Sequence, residues 1–222
     1  RHLILTFGLE GVIYYKCNGV SESRLYFMPY EFEGDFSKEI RGSMYGYTSC
    51  FVAGLVKSIA SKGMQEEELV FSINDGIREG IVAAQKYYID GFGRNTSSFT
   101  FPNPNIFLED VSYPISKENV QDVKIHIPIN NDSQDSWYIL NDKSPSNLVE
   151  IAAEIVKSGE EKVLKFIPVA RFGQLKTVDR TEIESYRSIN NLMCEYIATK
   201  NAIRPLSIAV FGTPGSGKSY GV

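Results

Sequence analysis

The chain has 222 residues, of which 43% are hydrophobic and 23% are charged, as in an ordinary globular protein. This length is enough for one large or two modest domains with hydrophobic cores, so global disorder is excluded. The net charge is −4 and no run is rich in Lys and Arg, which argues against a nucleic-acid-binding surface. No apolar run reaches the length of a membrane span.

Cysteine and histidine residues are few and scattered. Cys17, Cys50 and Cys194 lie far apart and form no CxxC pair. Their odd number predicts free thiols in a reducing compartment, and we expect a cytoplasmic protein. His2 and His126 lie in apolar or alternating contexts, which favours structural roles over metal binding or acid–base catalysis.

The first part of the chain predicts strands followed by helices. Residues 3–7 and 12–15 are expected to form two strands around a glycine turn at residues 8–11, and residues 24–27 a third. From Cys50 onward the apolar period becomes helical. The expected buried face of the first helix, which Gly63 closes, is Phe51, Val52, Leu55, Val56 and Ile59. A second helix, ending at Asp90-Gly91, is expected to bury Leu69, Ile73, Ile77, Ile81, Ala84 and Tyr88.

The middle of the chain predicts a connector of βαβ character. Residues 91–105 are rich in Gly, Ser, Asn and Pro and indicate a domain boundary or an exposed loop. The elements expected beyond it are strands at 124–129 and 137–140, a helix that Ser144-Pro145 opens and Gly159 ends, and a strand at 163–170.

One more helix and one more strand are expected near the end of the chain. Asp179 is placed to cap the helix, and Glu182 stands at the third position of a capping box. Its predicted buried stripe is Ile183, Tyr186, Ile189, Met193 and Tyr196. Residues 206–211 then predict an apolar strand.

A phosphate-binding loop follows this strand. The residues match G-x-x-x-x-G-K-[ST] at Gly212, Gly217, Lys218 and Ser219. Glycines let main-chain N–H groups converge on a phosphate, Lys218 supplies a charge for the β- and γ-phosphates, and Ser219 offers a hydroxyl to Mg²⁺. The motif therefore predicts ATP and Mg²⁺ as cofactors. The expected nucleotide-binding residues are Gly212, Thr213, Pro214, Gly215, Ser216, Gly217, Lys218 and Ser219.

The amino-acid sequence T-P-G-S-G-K-S at residues 213–219 resembles the Walker A loop of AAA+ and related ATPases. The resemblance implies a Walker B acid, a sensor and an arginine finger beyond Val222. We therefore expect residues 180–222 to be the start of a truncated P-loop NTPase domain. On its own this stretch is not expected to hydrolyse ATP.

Residues 1–93 resemble the C-terminal half of the ribokinase-like sugar kinases. Thr6 to Gly11 is similar to that family's T-x-G-x-x-G strand and turn, which lies beside the nucleotide. Gly46 to Leu55 is similar to its G-A-G-D-x-F-x-A-G-L segment, and the helix from Glu66 to Asp90 takes the place of the family's next helix. The resemblance implies an α/β domain with a phosphate site at the start of the first helix.

The departures from this family predict that the kinase activity is lost. The family's catalytic base is an Asp, and here that position holds Ser49, which cannot accept a proton at neutral pH. Loss of such a base costs about 10²–10⁴-fold in rate. Tyr47 and Thr48 replace small residues of the anion hole, which hinders the approach of a phosphate.

Together these patterns predict an α/β protein of three parts. A degenerate ribokinase-like domain (1–105) is joined by an α/β connector (106–179) to the start of a P-loop NTPase domain (180–222). The expected function is a regulatory or ligand-sensing domain fused to an ATPase. Two alternatives stay open, an active ribokinase-like small-molecule kinase and an interaction module that dimerises through its first domain. Besides nucleotide, the expected partners are another protein, a small ligand of the first domain, or a second copy of the chain.

Overall fold

The computed structural model describes residues 1–8, 11–18, 20–30, 45–62, 66–90, 115–125, 148–199, 204–209 and 211. The chain divides into two compact units, Arg1–Asp142 and Lys143–Val222. Both are described separately below. The domain boundaries at residues 105 and 179 stay predictions. Within the described residues the protein is mixed α/β, with a four-stranded antiparallel sheet and five α-helices.

The first unit is built on an antiparallel sheet. Its strands are β1 (His2–Phe7), β2 (Gly11–Asn18), β3 (Val20–Phe27) and β4 (Gln121–Ile125), in that spatial order. β-Branched and aromatic residues dominate the centre of β2, as expected of a strand packed on both faces. The three strands predicted before residue 30 are confirmed. The strand predicted at 124–129 begins earlier, at Gln121, and residues 126–129 lie outside the described part of the chain.

Two helices cover one face of this sheet, α1 (Tyr47–Lys62) and α2 (Glu66–Asp90). The predicted end of α2 at Asp90 is confirmed. Most of the predicted buried stripe of α2 is confirmed as well. Leu69 is half-buried, and the other members are buried, namely Ile73, Ile77, Ile81, Ala84 and Tyr88.

The predicted buried face of α1 is wrong in part. Val52 and Val56 are 47% and 54% exposed, whereas Phe51, Gly54 and Ser58 are buried. The reason is close packing through glycine. A Cβ placed on Gly54 would lie 2.9 Å from the Cα of Gly80. The contact line with α2 therefore follows the small residues of α1, and the two valines turn outward.

Apolar side chains occupy both faces of the sheet. On the helix-covered face, Val12, Tyr14, Tyr26 and Met28 pack with residues of α1 and α2 in the larger core cluster. On the opposite face, the residues of a second cluster are Leu25, Phe27, Val123 and Ile125. Adjacent residues of a strand point to opposite faces, so the continuous apolar run of β3 supplies both clusters.

The second unit contains three helices and a hairpin: α3 (Leu148–Ser158), α4 (Glu160–Val163), β5 (Ala170–Phe172), β6 (Leu175–Thr177) and α5 (Arg180–Ala198). The predicted helix of residues 144–158 is confirmed from Leu148 onward, and it ends before Gly159 as expected. The strand predicted at 137–140 lies outside the described residues.

The strand predicted at 163–170 is wrong, whereas the βαβ connector stays a prediction, because its strand at 137–140 lies outside the described residues. Residues 160–166 form α4 and a 3₁₀ turn, and β5 pairs antiparallel with β6. Short apolar runs do not distinguish a strand from a helical turn. The acidic Glu160-Glu161 pair favours a helix start. The pair Gly173-Gln174 between β5 and β6 makes a tight hairpin turn.

The start of α5 is confirmed, but most of its predicted stripe is not buried. Asp179 caps the helix by accepting a hydrogen bond from the main-chain N–H of Thr181 at 2.9 Å. Of the stripe, Ile183 alone is buried, while Ile189 and Met193 are 37% and 42% exposed.

The strand predicted at 206–211 is absent from its described residues, which have no regular secondary structure. Ile208 and Phe211 are 44% and 91% exposed. An apolar run becomes a strand through main-chain bonds to a neighbouring strand. No strand of the described chain pairs with these residues.

Candidate functional site

A cleft lies where the β1–β2 turn meets the first turn of α1. Its empty volume is about 260 Å³ when space open to solvent is included, and the enclosed part is far smaller. The β1–β2 hairpin, the start of α1 and the middle of α2 contribute its lining, which is Thr6, Gly8, Gly11, Val12, Tyr47, Thr48, Phe51, Ile81 and Ala84. The structure thus brings together the two segments that resemble the ribokinase-like phosphate site.

The hairpin side of the cleft depends on its turn. Gly8 has a φ of 57°, in the left-handed region that favours glycine. Gly11 is buried and opposite Phe7 in the first pair of the β1–β2 ladder. Neither glycine contributes a side chain to this part of the cleft.

The helix side is held by contacts between α2 and the residues before α1. Gly46 has a φ of 103°, and its carbonyl accepts the first helical hydrogen bond of α1 from the N–H of Cys50 at 3.0 Å. The Tyr87 hydroxyl donates to the carbonyl of Tyr45 at 2.8 Å. A Cβ on Gly46 would lie 2.9 Å from that hydroxyl oxygen. The backbone angle and the available space therefore both require glycine at this position.

Among the described residues that line the cleft, none has a charged side chain. Their side-chain polar groups are the hydroxyls of Thr6, Tyr47 and Thr48. Ser49, at the position where the sequence predicted a lost catalytic base, is exposed and does not contribute to the lining. These lining residues include neither a carboxylate to remove a proton nor a cation to neutralise a phosphate.

The sequence did not reveal the α2 side of this cleft. Ile81 and Ala84 are part of the predicted apolar stripe, but nothing in their spacing shows that they form a wall opposite Thr48. The small Ala84 within a stripe of larger residues is the one signal of open space.

An ionic network joins the sheet to α2 on the helix-covered side of the first unit. Asp122 accepts hydrogen bonds from Arg24, at 2.6 Å, and from Arg78. Arg78 also donates to the carbonyl of Val120 and lies over the ring of Tyr26, 5.6 Å from its centroid. Burial, and then the charge of Asp122, raise the pKa of Tyr26 far above its usual range. The groups are mutually satisfied, so the network is structural.

A second ionic group surrounds Asp75 on α2. Its carboxylate pairs with Lys62 and with Lys117, the latter at 3.3 Å. Burial opposes its ionisation, but the hydrogen bonds from the two lysines outweigh burial and lower the pKa of Asp75 below its usual value. Lys62 and Lys117 are distant from Asp75 in sequence, so their convergence is a product of the fold.

The residues expected to be structural or free do not form a further site in the described chain. The Nδ1 of His2 lies 2.8 Å from the hydroxyl oxygen of Tyr14, and their rings stack. Cys17, Cys50 and Cys194 are free thiols. Burial raises the pKa of the Cys50 thiol, which disfavours a reactive thiolate. His126 lies outside the described residues.

The predicted nucleotide-binding loop also lies outside the described residues. This applies to each of its members, Gly212, Thr213, Pro214, Gly215, Ser216, Gly217, Lys218 and Ser219. Across the described ranges, no three His, Cys, Asp or Glu side chains converge to hold a metal ion. None of the described helices has the length and apolar character needed to cross a membrane.

Comparisons with known proteins identify no relative. No family model matches the chain, and no curated protein or solved structure matches it. Function is therefore argued from the phosphate-loop motif and the cleft alone.

Proposed function

We propose that this chain is part of a multidomain ATP-binding protein. In this proposal, residues 212–219 bind the phosphates of ATP, with Ser219 on Mg²⁺, and the first unit is a catalytically silent kinase-like domain that senses a ligand. The observation that carries the nucleotide-binding part is the motif itself, Gly212, Gly217, Lys218 and Ser219 at the required spacing.

The arrangement of the first unit supports the kinase-like part of the proposal. The strand and glycine turn at residues 6–11, the start of α1 and the helix α2 follow one another in the order that the ribokinase-like resemblance gives them. The turn and the start of α1 line one cleft, with Thr6 and Gly8 on one side and Thr48 on the other. The finer fold assignments, a ribokinase-like half and the start of a P-loop domain, belong to this proposal.

The chemistry of the cleft supports sensing rather than phosphoryl transfer. Ser49 stands at the position where the resemblance expects a base, and the described residues that line the cleft include no charged side chain. A kinase site needs a proton acceptor for the attacking hydroxyl and positive charge for the transferred phosphoryl group. A pocket with a few hydroxyls and apolar walls instead fits reversible binding of a small ligand.

The second candidate, an active small-molecule kinase, is favoured by the proximity of the turn and the start of α1. In that case nucleotide binds at Gly8, Gly11 and Gly46, and the reaction depends on the start of α1. The two candidates place ATP at different ends of the chain, so one set of variants separates them.

The experiment measures Mg²⁺-ATP binding and phosphoryl transfer to sugars and nucleosides by the 222-residue chain. We expect saturable ATP binding that Lys218→Ala weakens by at least about tenfold, because the lysine contacts the β- and γ-phosphates. Lys157→Ala, which removes an exposed lysine from α3, is the matched control and leaves binding unchanged. No phosphoryl transfer is expected.

Two outcomes contradict the proposal. Absent ATP binding, or binding that Lys218→Ala does not weaken, contradicts the nucleotide-binding part. Phosphoryl transfer that Ser49→Ala abolishes contradicts the silent-kinase part and establishes the second candidate.

A further inference from the structure

Strand β1 forms an edge of the sheet and lacks the usual protection of edge strands. In the described part of the chain, β1 has β2 on one side and no strand on the other. Edge strands normally carry charges, prolines or bulges that prevent further pairing. The residues H-L-I-L-T-F include no Asp, Glu, Lys, Arg or Pro, and their pairing with β2 is continuous. This edge is therefore a template for another strand.

The hydrogen-bonding pattern shows which residues point outward from this edge. Arg1 and Cys17 exchange both main-chain hydrogen bonds, at 3.0 and 3.3 Å. Bonded and non-bonded pairs alternate along an antiparallel ladder. Leu3 and Leu5 therefore direct their main-chain groups toward β2, whereas Ile4 directs its N–H and C=O away from the sheet.

Leucine side chains extend an apolar face of the sheet to this edge. Leu5, Ile13, Leu25 and Val123 form one row across the four strands. Leu25 and Val123 are 0% and 7% exposed, whereas Leu3 and Leu5 are 50% and 49% exposed. The apolar row is therefore buried in β3 and β4, whereas Leu3 and Leu5 of β1 are half-exposed.

We propose that this edge binds a second copy of the chain, by antiparallel pairing of β1 with β1 about a two-fold axis at Ile4. The outward main-chain groups of Ile4 then bond to those of the partner's Ile4. Leu3 faces the partner's Leu5, and Leu5 faces the partner's Leu3, so four half-exposed leucines cover one another. The two sheets become one continuous sheet.

Self-complementarity is the reason for choosing a second copy as the occupant. A two-fold interface brings one surface patch against an identical patch. Leu3 and Leu5 stand at equal distances on either side of Ile4, and β1 has no acidic or basic side chain other than His2 to repel its own copy. Added strands gain affinity from main-chain hydrogen bonds and specificity from side-chain contacts. The leucine spacing supplies that specificity for β1 itself.

The test is the molar mass of the 222-residue chain in solution, by sedimentation equilibrium. We expect a dimer of twice 24.9 kDa. The double variant Leu3→Lys/Leu5→Lys places like charges opposite each other, so its dissociation constant rises at least about tenfold. In Leu3→Lys/Leu5→Glu each new lysine faces the partner's new glutamate, so the dimer persists. Val52→Lys, at a similarly exposed apolar site on α1, is the control and stays dimeric.

Several results overturn the proposal. If the chain is monomeric at about 100 μM, the proposal is wrong. Binding of a different strand or peptide to this edge would not rescue it. A Leu3→Lys/Leu5→Lys variant that remains fully dimeric overturns it as well. Equal dissociation of the two double variants overturns the pairing about Ile4. A circular dichroism spectrum of each variant that matches that of the wild type excludes unfolding as the cause of dissociation.

Discussion

Individual glycines determine how closely the two helices of the first unit approach. A Cβ on Gly80 would lie 2.7 Å from both the Cδ2 and the carbonyl oxygen of Phe51. Real Cβ atoms do not approach other heavy atoms so closely, and one of these contacts is to backbone that cannot rotate away. Gly80 is therefore required by packing, although glycine is a poor helix former.

We predict that Gly80→Ala destabilises the protein by about 1–3 kcal/mol, even after the gain in helix propensity, because overpacking forces α1 and α2 apart. Urea unfolding followed by circular dichroism measures the change. Val52→Ala, at an exposed position of α1, is the control and changes stability by less than about 0.5 kcal/mol. Equal stability of Gly80→Ala and wild type would show that the helices have room for a methyl group.

The lowered pKa of Asp75 leads to a prediction of how the stability of the first unit depends on pH. The lysines lower the pKa of Asp75 in the folded state, so the unfolded state binds the proton more tightly. The stabilisation is complete above the unfolded pKa of about 3.9 and is lost as the pH falls through the folded pKa. Stability should therefore fall with pH below about pH 5.

The measurement is the free energy of unfolding of wild type and Asp75→Asn between about pH 6 and pH 3. The variant is expected to be less stable near neutral pH and to lose less stability on acidification. Any dependence that remains in the variant reports other carboxylates, such as Glu22, whose pKa is lowered chiefly by its hydrogen bond from Arg24. Parallel curves for the two proteins would exclude Asp75 as a source of the pH dependence.

At the scale of elements, the second unit shows how a helix start is stabilised by the hairpin before it. The predicted capping box is modified by Thr177, the last residue of β6. Its hydroxyl donates to Glu182 at 2.7 Å and accepts from the N–H of Asp179 at 3.1 Å. Glu182 therefore reaches the cap residue through a threonine instead of directly. Both capping residues were identifiable from the sequence, but the relay depends on the hairpin.

We predict that Asp179→Ala lowers the stability of the second unit by about 0.5–2 kcal/mol, since the N–H of Thr181 loses its acceptor. The loss of α5 helicity on heating, followed at 222 nm, measures the effect. Asp179→Asn keeps a side-chain oxygen at the cap and is expected to stay close to wild type. A loss as large in Asp179→Asn as in Asp179→Ala would show that charge, rather than the hydrogen bond, stabilises this helix start.

Local patterns predicted most elements but not all of their faces. Gly8, Asp90 and Asp179 mark turns and helix ends through backbone geometry and caps, which depend on a few neighbouring residues. The burial of Val52 and Ile189 was predicted wrongly because periodicity shows which residues share a face. It does not show whether another element covers that face. The same limit explains the strand predicted at 206–211, which needs a pairing partner.

At the scale of the whole molecule, some residues of the candidate sites could be predicted from the sequence and others could not. The phosphate-loop residues from Gly212 to Ser219 are recognisable because their chemistry is local, with each glycine and the lysine acting at a set spacing. Only one side of the cleft of the first unit was predicted from the sequence. The turn at Gly8 and the start of α1 carried a resemblance, whereas Ile81 and Ala84 reach the cleft through the packing of α2.

The sequence by itself determined the three strands before residue 30, the two helices of the first unit, the cap at Asp179 and the match to the phosphate-loop motif. Each of these follows from residue type and short-range spacing. Only the tertiary structure decided the antiparallel sheet order, the pairing of Asp75 with Lys62 and Lys117, the set of described residues that line the cleft and the half-exposed leucines of β1. These features depend on which distant segments approach one another, and such approaches are governed by packing across the whole unit.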